Sequence, residues 1–356
     1  MKDNQMPQLS PRKKQILFSA IDNYIKQASP ITSLLVQQTE MHDLSTATIR
    51  NELNTLEQMG YLKQLHTSSG RVPTTMGYRF FVNEILNNTT VTKSEIATVK
   101  DDMFMRTNNL SEIVKTIADT VSKTTNYPAV VVFNGFDKLC VNSIKVFHLI
   151  SGQLLVLIET NAGVITNTIS ASTTITKQDC ENASKIFTDI FGGKNVEFLM
   201  SNANELSDRI HEVMRGYEEI FNLVVYVLEN YTKSSGSDVT SRGIVKLLNS
   251  PEYSNVDKAK DILNILDDKT QLKDIFDTSS EDGVIVKIGD EMNSPALLNC
   301  AVITTPIVID GNKIASVGII GPERIDYANI ASALKYIADQ INTNRGFNNY
   351  NNREDD

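Results

Sequence analysis

Leu44-Ser45-Thr46-Ala47-Thr48-Ile49-Arg50-Asn51-Glu52-Leu53-Asn54-Thr55-Leu56-Glu57-Gln58-Met59-Gly60 is the stretch whose reading decides the fold. Serine is a good N-cap, because its hydroxyl accepts one of the first-turn amides that has no partner inside the helix. Ile49, Leu53 and Leu56 then follow at i, i+4 and i+7, which predicts a helix with one apolar stripe. The helix runs from the Ser45 cap to about Met59 and stops at Gly60, a residue free to turn the chain left-handed. Ala47, Asn51, Asn54 and Gln58 lie opposite the stripe, with Thr48 and Arg50 on its flanks.

Working outward, the residues on either side supply the rest of a small domain. Ser10-Pro11 opens a first helix, with Ile16, Leu17, Ala20, Ile21, Tyr24 and Ile25 at helical spacing, and Ser29-Pro30 closes it. A short second helix is expected over Thr32–Thr39, with Leu34 and Leu35 facing inward. After Gly60, Tyr61–Leu65 and Arg71–Thr74 read as two short strands joined by His66-Thr67-Ser68-Ser69-Gly70. Three helices followed by a hairpin is the order of a winged helix-turn-helix, placed here at residues 1–87.

The outward face of the third helix carries the chemistry. Asparagine amides pair bidentately with adenine edges, arginine pairs with guanine, and hydroxyls reach phosphates. Thr46 at the helix start, Ser45, Thr48, Arg50, Asn51 and Asn54 therefore form a candidate DNA-reading set. The hairpin adds Ser69 and Arg71, suited to phosphates or a narrow minor groove. An isolated helix of this composition would more often be a plain solvated surface. The helix-helix-helix-hairpin context turns the balance toward DNA.

The whole chain of 356 residues carries a formal charge of −9, which argues against nucleic acid until its distribution is read. Residues 1–90 hold nine basic and seven acidic side chains, whereas the remainder holds 25 basic and 36 acidic. A mildly basic head on an acidic body presents one end to phosphates. Three widely spaced cysteines, Cys140, Cys180 and Cys300, suit reduced thiols in a cytoplasmic protein. No apolar run approaches the ~18 residues of a membrane span, and the N-terminus has no apolar signal core. No HExxH, GxSxG, P-loop or clustered metal set occurs, so no enzyme activity and no cofactor are expected.

From residue 75 the pattern is helical to about 125, with Ile96, Val99 and Met103 among its apolar positions and Asn88–Thr92 resembling a linker. It turns to β from Pro128 to about Ala171, and becomes helical over 178–191 and 204–231. It returns to β in GVIVKIG, LLNCAVITT and KIASVGIIG. A β-rich region that stops for helices and then resumes predicts one domain inserted into another, so the fold class is α+β. Leu206, Ile210, Val213, Tyr217, Ile220, Val224, Val227 and Tyr231 alternate steps of four and three, a heptad-like seam. The seam is either core of its own domain or a dimer interface, with Val213, Tyr217, Ile220 and Val224 as the contact set. An operator with dyad symmetry calls for a two-fold protein, which favours the interface.

The segment Leu44–Val82 resembles the HrcA-type heat-inducible transcription repressors, and so do Val284–Gly289 (VIVKIG), Asn299–Thr304 (NCAVIT) and Val317–Tyr327 (VGIIGPERIDY). The resemblance implies a GAF-like domain at 95–174 and 267–345, interrupted by a mainly helical dimerisation domain at 175–266. It also implies a homodimer bound to an inverted-repeat DNA operator ahead of chaperone genes, with activity maintained by a GroEL-type chaperonin. The composition of GFNNYNNREDD predicts a disordered tail at 346–356. A ligand-responsive winged-helix regulator of other genes is the alternative to the repressor. It would share the head and differ in its effector.

Overall fold

The computed structural model describes residues 9–64, 70–88, 109–172, 174–213, 217–235, 238–278 and 282–343. Helix α1 (Pro11–Gln27) starts as the Ser-Pro pair dictates and ends at Ala28 in a left-handed conformation. Helices α2 (Ser33–Thr39) and α3 (Thr46–Gln58) follow, each capped by a hydroxyl, from Thr32 and Ser45 respectively. Ile16, Leu17, Ile21, Ile49, Leu53 and Leu56 are fully buried together. Burial of each such side chain is worth roughly 1.5–3 kcal/mol. In α2 the inward residue is Val36, while Leu34 is 53% exposed, contrary to expectation. A seven-residue helix buries little more than one position per turn, and a run of three apolar residues does not say which.

Strands β1 (Leu62–Gln64) and β2 (Arg71–Pro73) pair antiparallel, Leu62 opposite Pro73 and Gln64 opposite Arg71. Ile31, between α1 and α2, pairs with Arg71 through both backbone bonds, 2.7 and 2.9 Å. That close approach demands Gly70, because a Cβ there would lie 2.5 Å from the Ile31 carbonyl oxygen. Helix α4 (Thr75–Asn88) then packs back on α1, with the Phe18 and Phe81 rings 4.4 Å apart.

The larger part of the molecule begins with α5 (Leu110–Thr125) and β3 (Ala129–Phe133). The chain then leaves for β4 (Val141–His148), β5 (Gln153–Thr160) and β6 (Gly163–Ser170), an antiparallel sheet of its own in the order β4-β5-β6. Helices α6 (Lys177–Phe191), α7 (Val196–Ser201), α8 (Ala203–Val213) and α9 (Glu218–Ser235) complete this unit. Helix α6 lies along β4, where Ser184 Oγ and Thr188 Oγ1 accept the Val146 and Ile144 amides at 2.8 and 3.1 Å. The open edge of β4 is thereby covered. The chain returns at β7 (Asp238–Arg242), followed by α10 (Val256–Asp267), α11 (Lys269–Phe276), β8 (Ile285–Ile288), β9 (Cys300–Ile309), β10 (Asn312–Pro322) and α12 (Tyr327–Thr343).

The second sheet has the order β7-β3-β10-β9-β8 and is antiparallel throughout. Alternation along β3 sorts its two faces, since successive side chains point to opposite sides. Val131 belongs to the core that includes Val121, Leu334 and Ile337 of α5 and α12, while Val130 and Val132 join Ile262, Leu266 and Phe276 of α10 and α11. The molecule is thus an α+β protein in which a sheet covered on both faces is interrupted by a second sheet unit.

Two boundaries differ from expectation. The interruption runs from the end of β3 to the start of β7, so it contains β4, β5 and β6, and the 175–266 range does not describe it. Helices α10 and α11 cover the main sheet instead of belonging to the inserted unit. The cause is physical: β4–β6 carry the same branched residues as β3, and composition cannot say which sheet a strand joins. The predicted single helix over 204–231 is also two helices, α8 ending at Val213 and α9 starting at Glu218. Leu206, Ile210, Ile220, Val224 and Val227 are all buried within the single chain, Ile220 at 0% and Val224 at 1% exposure. Ile220 and Val224 are therefore core positions of the inserted unit, next to the Phe187–Phe191–Phe221 ring cluster, and not a free interface. Tyr217 is half-buried and accepts a hydrogen bond from Asn182 Nδ2 at 3.1 Å. The expected tail at 346–356 and the Ile96, Val99 and Met103 positions lie outside the described residues.

Candidate nucleic-acid interface

Helix α3 is set at a fixed angle by the turn that precedes it. Gln37 Nε2 of α2 donates to the Leu44 carbonyl at 2.7 Å, tying the two helices across the turn. No sequence signal marked Gln37, because a glutamine that bonds a backbone seven residues on has no periodic signature. Ser45 Oγ accepts the Thr48 amide at 3.1 Å and lies 2.9 Å from Thr48 Oγ1. Both hydroxyls are thus engaged in starting the helix, and each keeps capacity for one more partner. No acid occupies the first turn, so the positive end of the helix dipole is left uncompensated there.

Thr46, Ala47, Arg50, Asn51 and Gln58 are exposed, in contrast to the buried Ile49–Leu53–Leu56 stripe. Arg50 enters none of the ion pairs among the described residues. Its neighbours differ: Arg12 and Lys13 meet Glu52 at 3.9 and 3.3 Å, and Lys14 meets Glu84 at 3.0 Å. The exposed face therefore offers a guanidinium outside those ion pairs, the amide side chains of Asn51 and Gln58, and a capped helix start.

Asn54 and Arg71 sit otherwise than the sequence suggested. Arg71 is only 13% exposed at its side chain, and its Nε donates to Glu57 Oε2 at 2.8 Å. Its Nη2 also donates to Asn54 Oδ1. Glu57, three residues beyond Asn54, is absent from the expected outward face, yet it lies close enough to draw the hairpin arginine back onto the helix. The Asn54 amide nitrogen is left to donate outward, but its oxygen is occupied. Ser69, with the hairpin tip, lies outside the described residues.

Among the described residues, no group of three or more His, Cys, Asp or Glu is placed to hold a metal ion, and no helix is long and apolar enough to cross a membrane. All three cysteines are free thiols.

Residues 111–331 match the family model described as HrcA protein C terminal domain. The heat-inducible transcription repressor HrcA of Acetivibrio thermocellus is 33% identical over 342 residues, covering 94% of this chain and 95% of the relative. That of Ruminiclostridium cellulolyticum is 32% identical over 346 residues, covering 94% and 97%. The crystal structure of a hypothetical protein superposes with a TM-score of 0.68 at 20% identity, over 94% of this chain and 98% of that one, a likeness of fold. A match over most of the larger domain, with relatives above 30% identity along nearly the full length, means that this chain belongs to the HrcA family.

Proposed function

We propose that the chain is a homodimeric transcriptional repressor that binds an inverted-repeat operator upstream of chaperone genes, reading it with α3 of a winged-helix head. The single observation that carries the reading is the outer face of α3. Thr46, Ala47, Arg50 and Asn51 stand exposed on a helix whose opposite side is locked into the head's core. A helix of this kind inserts into the major groove with its N-terminal residues at the base edges. The names of the relatives, heat-inducible transcription repressors, support the same assignment. The family also supports the GAF-like description of the five-stranded sheet domain, a cytoplasmic location and dependence on a GroEL-type chaperonin. Ile220 and Val224 are buried within the single chain, which supports a self-association surface built from other residues.

The test is a titration of the full chain against duplexes taken upstream of the chaperone genes of its genome, with scrambled duplexes as controls. At near-physiological salt the expected preference is at least ~10³-fold. Equal binding to both would overturn the reading. Added chaperonin should raise the fraction of molecules competent for the operator, and sedimentation should show a dimer.

A further inference from the structure

The downstream stretches VIVKIG, NCAVIT and VGIIGPERIDY are remote from α3, and the proposed DNA contacts leave them without a role. In space they converge on one place, the underside of the head. Thr75 Oγ1 of α4 donates to Glu323 Oε1 at 3.1 Å, and the Glu323 amide donates to the Asn299 carbonyl at 3.0 Å. Gly289 is left-handed at φ 53, and a Cβ there would lie 2.8 Å from both Glu323 Oε1 and Thr75 Oγ1. Tyr327 is fully buried, donates to the Glu323 carbonyl at 2.6 Å, and has its ring 6.1 Å from that of Tyr78 on α4.

Two arginines, one from each side, tie this contact. Arg324 Nη1 donates to the Ile25 carbonyl at 2.8 Å, while its Nε donates to Glu252 Oε1 at 2.8 Å. Ile25 lies in the last turn of α1, where carbonyls have no helical partner, so Arg324 satisfies an acceptor the helix itself cannot. In the other direction, Arg79 of α4 pairs with Glu291 and donates through Nη2 to the Val286 carbonyl of β8 at 2.6 Å. Both side chains are largely buried, 17% exposed for Arg324 and 21% for Arg79. Each arginine holds a carboxylate and a main-chain oxygen at once. That fixes direction in a way a single exposed ion pair does not.

We infer that the Glu323-Arg324 turn and the Arg79 tie form a seat that sets the angle of the reading head on the body, and hence the half-site spacing a dimer accepts. The inference rests on the repressor reading above and adds residues that never touch DNA. Two heads bound at once to one duplex gain affinity only if their separation matches the half-sites. A seated head prefers one spacing, and a loosened head tolerates several.

The experiment uses the full chain and duplexes that the parent protein selects from a random pool, then remade with the spacer lengthened or shortened by up to about half a helical turn. Arg324→Ala and Arg79→Ala are expected to reduce the preference for the selected spacer roughly tenfold or more, with binding to a lone half-site unchanged. Arg324→Lys, which keeps the charge and loses the fork, should fall between. In parallel, spin labels at Gln58→Cys and Asp261→Cys in a Cys140→Ser background report the head-to-body distance without DNA. The seat predicts a narrow distribution in the parent and a broad one in Arg324→Ala. A narrow, unchanged distribution in both arginine variants overturns the seat whatever DNA does, and so does an unchanged spacing preference. If the parent selects no sequence while the distribution broadens, the seat stands as a structural joint and the repressor reading fails.

Discussion

The head has two polar surfaces, and they are used in opposite ways. On the outer face of α3, Arg50 and Asn51 are exposed, and Arg50 enters no ion pair among the described residues. On α4, the polar groups that face the body are spent there: Thr75 on Glu323, and Arg79 on Glu291 and Val286. Periodicity alone would mark both as outward faces of amphipathic helices. The difference teaches that an outward polar face is defined only relative to the helix's own core. Whether it meets water, DNA or another domain is decided by partners far along the chain.

The largest expected effect tests the interior side of this contrast. Ile220 and Val224 form the inserted unit's core, so Ile220→Asp should unfold that unit, because an isolated buried carboxylate costs several kcal/mol. Loss of the cooperative melt is expected. A well-folded monomer would instead restore the interface reading of the seam.

Next in size is the reading face. Asn51→Ala should cost about 1–3 kcal/mol of operator affinity and relax preference at one position in each half-site, with the melt unchanged. Unaltered specificity would move the reading surface away from α3.

A smaller effect is expected from the Arg71 clamp. Glu57→Gln weakens the hold on Arg71 and frees it toward a phosphate, so affinity for all sequences should rise and the salt slope steepen by about one unit per head. An identical salt slope in the variant would show that Arg71 is purely structural.

The smallest is a pH dependence at the seat. Burial pushes the Glu323 carboxyl up to about 7, and the neighbouring Asp290 and Glu291 push it further in that direction. Thr75 and Lys63 act the other way. The folded chain thus holds this proton more tightly than the unfolded chain does. Its contribution to stability is complete below the ordinary carboxyl value and is lost as pH rises through about 7. Glu323→Gln should melt about 2–4 °C above the parent at pH 8 and level with it near pH 5. Equal margins at both pH values would count against a strained carboxylate there.

Much of the head was legible because its determinants are local. The Ser45 cap, the Ile49–Leu53–Leu56 stripe and the Gly60 stop all act within one helix, and all three appear where expected. What was not legible is long-range. The Glu57–Arg71 pair spans a hairpin, and the exposure of Leu34 depends on how α2 leans on its neighbours. The assignment of β4–β6 to a separate sheet depends on pairings that no single strand encodes. Heptad spacing in 206–231 identified buried positions and left open whose core they fill.

The contrast between the two faces can be tested directly by placing a photoreactive amino acid at Ala47, exposed on α3, or at Asn83, exposed on α4, in the full chain. After irradiation with a parent-selected duplex, crosslinks to DNA are predicted from position 47 and not from position 83. DNA captured equally from both positions, or from 83 alone, would contradict the account.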